Sequence, residues 1–305
     1  MSAIIETANL TKRYGRHRGI VDLTFQVQAG ESFGFLGPNG AGKTTTIRTL
    51  LGFLKPTAGS AAIAGLDCWT QPSEVHRVIG YLPGEFTFDP SLTGAQIIAY
   101  LGNLRGGVDQ QYALSLVERF ELDPSRRFHE YSRGNKQKVG LVQAFMHHPR
   151  LLILDEPTSG LDPLNQQEFY RLVAEVQGQG ATVFLSSHNL AEVEHTCQRV
   201  GIIREGRLVK VDAVHTLKEL QHYEVEVTFA GPASPDWFRR VPGVLGVSLS
   251  PEGHRLLLTV QGTLGDVVQE AARHDATNLT TREPSLEEVF LRYYAPAPAA
   301  PAVTV

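Results

Sequence analysis

The chain has 305 residues, 42% hydrophobic and 20% charged, with a net charge of -4, enough for about two domains at roughly 150 residues each and without the basic balance of a general nucleic-acid binder. Its two cysteines, Cys68 and Cys197, stand far apart outside any Cys-x-x-Cys pattern. Its eleven histidines, including the adjacent His147 and His148, show no ligand spacing with cysteines or acids, so neither a zinc site nor a disulfide framework is expected. The opening stretch MSAIIETANLTKRYG is polar where a signal peptide would be apolar, and no stretch approaches the roughly 18 apolar residues of a membrane helix. If the protein serves a membrane process, another chain must cross the bilayer.

Taken in order, Val21, Leu23, Phe25 and Val27 alternate with Asp22, Thr24, Gln26 and Gln28, the period-two pattern of a strand with one solvated face, suited to an antiparallel edge sheet. After a turn at Ala29, Gly30 and Glu31, SFGFL reads as a buried strand, and a glycine-rich loop leads into a helix over TTTIRTLLGFL. LTGAQIIAYLGNLR and DQQYALSLVERF predict helices of an insert, with Ala113, Leu116, Val117 and Phe120 on one face of the second. YSRGNKQKVG, residues 131–140, reads as the polar start of another helix. LLIL at 151–154 and ATVFLSS at 181–187 predict buried parallel strands. Between them PLNQQEFYRLVAEV puts Phe169, Leu172, Val173 and Val176 on one helical face, with Pro163 in the first turn and Gly178 and Gly180 past the end.

From about residue 221 the pattern changes. YEVEVTF alternates, GVSLSPEGHRLLLTV predicts a hairpin turning at Glu252 and Gly253, and TLGDVVQEAARH predicts a helix. A last helix is expected from Ser285, which forms a capping box with Glu288. The Pro/Ala-rich ending APAPAAPAVTV predicts a disordered tail. The expected organisation is an α/β domain over 1–220, a small α+β domain over 221–295 and a tail over 296–305.

GPNGAGKTT carries the phosphate-loop pattern at Gly37, Gly42, Lys43 and Thr44, with Pro38, Asn39, Gly40, Ala41 and Thr45 completing the loop. Glycines let the backbone wrap phosphates, and the helix that follows aims its unpaired amides at the anion. Lys43 is placed to reach the β and γ phosphates of ATP and Thr44 to ligate Mg²⁺. Asp155 and Glu156 end a predicted strand in LLILDEP. They read either as capping acids or as a Mg²⁺ ligand and a general base for the attacking water. His188 ends a core strand, either as a structural residue or as a γ-phosphate contact. Tyr14 is either an edge aromatic or the ring that stacks on adenine.

Together these residues resemble the ATP-binding subunits of ABC transporters, over roughly residues 1–220. The resemblance implies a P-loop NTPase fold with a mixed core sheet, an antiparallel β edge and a helical subdomain. YSRGN falls where the family has its signature, usually L-S-G-G-Q. It implies that Ser132, Arg133, Gly134 and Asn135 face ATP held by the opposite subunit of a homodimer or heterodimer. SGLD resembles the family's D-loop, with Asp162 coupling the two sites. In GYLPGE, Gly84 followed by Glu85 stands where the family has a metal-touching glutamine, so no metal role is carried over; Glu85 or a water could take that place. The region after 220, especially EPSLEEVFLRYY, resembles the C-terminal extension of ABC-2-type exporter subunits, many of them drug and antibiotic-resistance pumps. The implied protein is an ATPase on the cytoplasmic face of the cell membrane, docked to a separate permease that exports a drug-like, antibiotic or lipid-like substrate. Two other readings are a soluble ABC ATPase acting on ribosomes or DNA and a regulatory subunit that barely hydrolyses. Against the first stand the single phosphate loop and the absence of heptad-repeat arms or zinc-binding cysteines. Gly84 and the altered signature prompt the second.

Overall fold

The computed structural model describes residues 2–15, 17–215 and 222–282. Backbone contacts divide the chain into two compact units, Met1–Asp212 and a second that begins at Ala213. The boundary expected near residue 220, the helix from Ser285 with its partner Glu288, and the tail fall at or beyond residues outside those described.

The first unit opens with β1 (Ala3–Tyr14) and β2 (His17–Gln28), then β3 (Ser32–Leu36), α1 (Lys43–Leu50), β4 (Ala58–Ile63) and β5 (Leu66–Asp67). There follow α2 (Pro72–Val78), β6 (Ile79–Leu82), α3 (Gly94–Leu104), α4 (Gln110–Arg119), α5 (Arg133–Phe145) and β7 (Leu151–Asp155). It closes with α6 (Pro163–Gly178), β8 (Thr182–Ser187), α7 (Leu190–Thr196), β9 (Arg199–Arg204) and β10 (Arg207–Ala213). An antiparallel sheet has the order β2-β1-β4-β5, and a second sheet the order β10-β9-β3-β8-β7-β6. In the second sheet β9, β3, β8, β7 and β6 pair in parallel.

The alternation in β2 does what its period requires. Val21, Leu23, Phe25 and Val27 are buried while Asp22, Thr24 and Gln26 face solvent. The two sheets meet through a stack of four rings, in which Phe25 from β2 packs on Phe33 and Phe35 of β3 and on Phe184 of β8 at centroid distances of 5.8, 5.6 and 6.2 Å. Every residue of β3, β7 and β8 is buried, as continuous apolar runs in a covered parallel sheet should be. The helix expected over TTTIRTLLGFL ends at Leu50 because Gly52 turns the chain with φ 70°.

Side-chain caps set the insert. Thr93 and Gln96 close a capping box on α3 at 3.2 and 2.8 Å. Asp109 accepts the first free amides of α4, from Gln111 and Tyr112. Arg119 at the end of α4 then bridges Glu168 and Glu175 of α6, tying insert to core.

The second unit holds β11 (His222–Phe229), a 3-10 turn at Pro235–Trp237, β12 (Val244–Leu249), β13 (Arg255–Gln261), α8 (Gly265–Arg273) and β14 (Ala276–Arg282). Its sheet order is β12-β13-β11-β14 with antiparallel pairings throughout, the split-βαβ arrangement with the first helix reduced to one turn. The hairpin forms as expected, with Gly253 at φ 75° in its turn. β14 is an element the sequence pattern did not announce. Val225, Val227, Phe229, Phe238, Leu256, Leu258 and Val267 form a core separate from that of the first unit.

The ring stack makes a test of the first unit. Phe184→Ala should cost about 3–5 kcal/mol, read as a lowered urea midpoint, whereas an unchanged midpoint would show that the two sheets are not held by this stack.

Candidate active site

Three neighbouring strands bring the candidate residues together. In β3, β8 and β7, Leu36 lies opposite Ser187 and Ser186 opposite Asp155. The chain therefore leaves all three at one carboxyl edge, where ligands of such sheets gather. The Gly37 amide donates to the Ser187 carbonyl at 3.3 Å and the Glu156 amide to the Ser186 carbonyl at 3.0 Å, extending that order one residue past each strand.

Between β3 and α1 the chain turns through Gly40 and Gly42, whose φ values of 79° and 112° suit residues without a Cβ. Gly42 caps α1 without a side chain, which leaves the first-turn amides and the positive end of the helix available to an anion. Lys43 is 6% exposed. Its ammonium donates to the Gly37 carbonyl at 2.6 Å and lies 3.2 Å from Glu156 Oε1. The Thr44 hydroxyl donates to Asp155 Oδ2 at 3.0 Å, and the other Asp155 oxygen accepts from the Ser186 hydroxyl. Gly40, Gly42, Lys43, Thr44 and Asp155 border a cavity of about 270 Å³ lined also by Tyr14, Pro38, Asn39, Thr45, Gly84 and Glu156. Tyr14, 43% exposed, stands at its edge with the Lys12 ammonium 5.7 Å from the ring centre. Gly37 and Ala41 lie behind the loop; the buried Ala41 gives its carbonyl to the Gly206 amide at 2.8 Å.

Glu156 takes a left-handed backbone conformation, φ 52°, a costly state for a residue with a Cβ. Gln137 of α5 holds this turn by donating to the Glu156 and Pro157 carbonyls at 3.2 and 3.0 Å. The Glu156 carboxylate lies between two partners, with Oε1 3.2 Å from the Lys43 ammonium and Oε2 2.6 Å from His188 Nδ1. His188 itself does not line the cavity and reaches it through Glu156. Sequence reading offered His188 a structural role or a phosphate; the structure gives it Glu156. Ser186 and Gln137 were not anticipated. Ser186 matters only because β8 runs beside β7 in that register, and Gln137 only because α5 points it at the turn after β7. A third unanticipated group is Glu192, buried in the first turn of α7, whose carboxyl burial pushes up to about 7.

The residues at the expected signature meet the SGLD turn of their own chain. Ser132 caps α5 by accepting the Asn135 amide at 3.2 Å, and Arg133 donates to the Ser159 hydroxyl at 2.6 Å. A Cβ on Gly134 would come within 2.4 Å of the Gly160 carbonyl. Asp162 caps α6 through the Leu164 and Asn165 amides, and its bonds to Asn165 hold its carboxyl below the usual carboxylate range. Gly84 borders the phosphate cavity beside Asp155, while Glu85 lines a neighbouring one with Phe86, Thr87, Arg133, Lys136 and Gln137. Among the described residues no cluster of three His, Cys, Asp or Glu side chains could cage a metal. Thr44 and Asp155 offer hard oxygens beside a phosphate pocket, a donor set that fits Mg²⁺, an ion that keeps waters and substrate phosphates as its other ligands.

The ABC transporter family model matches residues 20–159. The bacitracin transport ATP-binding protein of Bacillus licheniformis is 39% identical over 214 residues, 69% of this chain and 70% of that protein. The chain is an ATP-binding protein of the ABC transporter family. As a member it is an ATPase with a nucleotide-binding cassette. The linearmycin resistance ATP-binding protein of Bacillus subtilis is 29% identical over 308 residues, 94% of this chain and 97% of its own, so the likeness runs into the second unit. A solved ATP-binding subunit of an ABC transporter superposes with a TM-score of 0.65 at 30% identity, over 70% of this chain and 92% of that one. A dimeric bacterial ABC transporter cassette superposes with a TM-score of 0.61 at 22% identity, over 69% of this chain and 98% of that one, a likeness of fold.

The contact at Gly134 yields a test. Gly134→Ala must push the start of α5 off the SGLD turn, and misplacement of that size costs about 10²-fold in turnover. Calorimetric titration should find nucleotide affinity retained; wild-type turnover would mean that the turn absorbs the methyl group without consequence.

Proposed function

We propose that this cassette powers a separate membrane permease of the ABC-2 type, exporting a drug-like, antibiotic or lipid-like substrate. Its likeness to transport and resistance ATP-binding proteins supports this over a role on ribosomes or nucleic acid. No helix among the described residues is long and apolar enough to cross a membrane, so the translocation path is assigned to the permease. The cassette is placed on the cytoplasmic face through that partner.

The observation that carries the catalytic reading is the meeting of Lys43, Asp155 and Glu156 around one cavity, with His188 behind Glu156. The ATP phosphates lie along the 37–45 loop, held by its amides and by Lys43, which their oxygens draw from Glu156. Tyr14 stacks on the adenine. Mg²⁺, held by Thr44 and Asp155, neutralises phosphate charge when bound. Glu156 takes a proton from the water that attacks the γ-phosphorus. The new P–O bond forms as the bond to the β–γ bridging oxygen breaks, and that oxygen leaves with ADP. His188 keeps the Glu156 carboxylate aimed during this step. Ser132 to Asn135 close on the nucleotide of a second ATP-binding subunit, with Asp162 linking the two sites, so closure and release drive the permease.

General-base removal typically costs about 10²–10⁴ in rate. Glu156→Gln should lose that much turnover while still binding ATP, and unchanged turnover with the permease present would reject the role. Lys43→Ala should abolish binding, measured by titration; normal affinity would overturn the phosphate-loop assignment.

A further inference from the structure

Among the described residues the buried carboxylates are Asp155 and Glu192. Asp155 has a part in the site above, whereas Glu192, 1% exposed, has none. Shielding a carboxyl from water is costly unless its surroundings repay it, and what surrounds Glu192 is specific. Its Oε2 accepts the Ser187 hydroxyl at 2.5 Å, and the same Ser187 oxygen accepts the Asn189 amide at 2.9 Å. Ser187 and Asn189 are the two chain neighbours of His188, and the Ser187 hydroxyl that links them is held by Glu192. The Thr158 amide and hydroxyl favour the charged form of Glu192, while its other oxygen, Oε1, has no hydrogen-bond partner among the described residues. Thr158 lies two residues beyond Glu156. Glu192 is thus bonded to the residue before His188, whose ring meets Glu156 at 2.6 Å. Its burial pushes its carboxyl up, and the Glu156 charge adds to that effect.

We propose that Glu192 is a positioning residue for ATP hydrolysis, holding the Ser187 hydroxyl and with it the chain at His188, so that His188 and Glu156 stay in contact and the Glu156 carboxylate stays aimed at the attacking water. This rests on the roles given above to Glu156 and His188. Its chemistry is indirect, because Glu192 does not line the cavity and acts only through Ser187 and the chain at His188.

Steady-state ATPase assays on the purified full chain test it. Glu192→Ala should lower kcat by about 10- to 100-fold, the range expected when a reacting group is misplaced, with KM for ATP unchanged. Glu192→Gln, which keeps an acceptor for Ser187, should restore turnover toward wild type. Because the residues act as one unit, His188→Ala with Glu192→Ala should be no slower than His188→Ala alone. An unchanged kcat in Glu192→Ala, a raised KM at constant kcat, or losses that multiply in the double variant would overturn the proposal. Should Glu192→Ala fail to fold, Ser187→Ala removes the same link and leaves the acid in place; its kcat should fall likewise, and a wild-type value would overturn the idea. Wild-type turnover in Glu156→Gln or His188→Ala would instead overturn the reading of the site itself. Loss in both of those with none in Glu192→Ala would sink this inference alone.

Discussion

The parallel pairing of β3, β8 and β7 is the constraint on which the rest of the first unit depends. Side chains at strand ends can cooperate only if the strands end together, and the register of Leu36 with Ser187 and of Asp155 with Ser186 makes them do so. The phosphate loop, the acidic pair and His188 are far apart in the chain and side by side in the sheet. What keeps the register is apolar. Every residue of the three strands is buried, and the Phe25–Phe33–Phe35–Phe184 stack fixes the antiparallel sheet against that surface. A slip by one residue would turn Phe33 and Phe35 away from Phe25.

On that platform Glu156 is the point where the electrostatics and the backbone meet. Its carboxylate is shared by Lys43 and His188, and its backbone sits in a conformation that costs on the order of 1–3 kcal/mol. Such a state persists only where neighbours over-determine it, and Gln137 from α5 does so by holding the Glu156 and Pro157 carbonyls. Because α5 begins at the YSRGN turn, one helix links the Glu156 backbone to the surface proposed to meet a second subunit. On the proposed function, that link would make the site sensitive to its partner subunit.

The departures from the family pattern have local explanations. Arg133, where the family usually has glycine, reaches Ser159 at 2.6 Å, so the altered residue strengthens the contact between α5 and the SGLD turn. Gly134 keeps the close approach that this contact demands. Gly84 leaves room beside the Asp155 carboxylate, while Glu85 belongs to the adjoining cavity with Arg133 and Lys136.

By itself the sequence determined what local physics controls. The alternation of β2, the apolar runs of β3, β7 and β8, the face of α4, the hairpin of the second unit and the phosphate loop were all legible, because periodicity, caps and glycines act within a few residues. So were Lys43, Thr44, Asp155 and Glu156, whose loop or strand-end contexts are contiguous in the chain. Only the tertiary structure decided which strands stand side by side, and through that the partners of each group. His188 pairs with Glu156, Ser186 with Asp155, Gln137 with the turn after β7, and Glu192 with Ser187. None of these pairings has a local signature, save that Glu192 lies only five residues after Ser187. The free energy that selects them comes from burying the strands and the ring stack as a whole, and that sum is written over the entire first unit, in no single stretch of it.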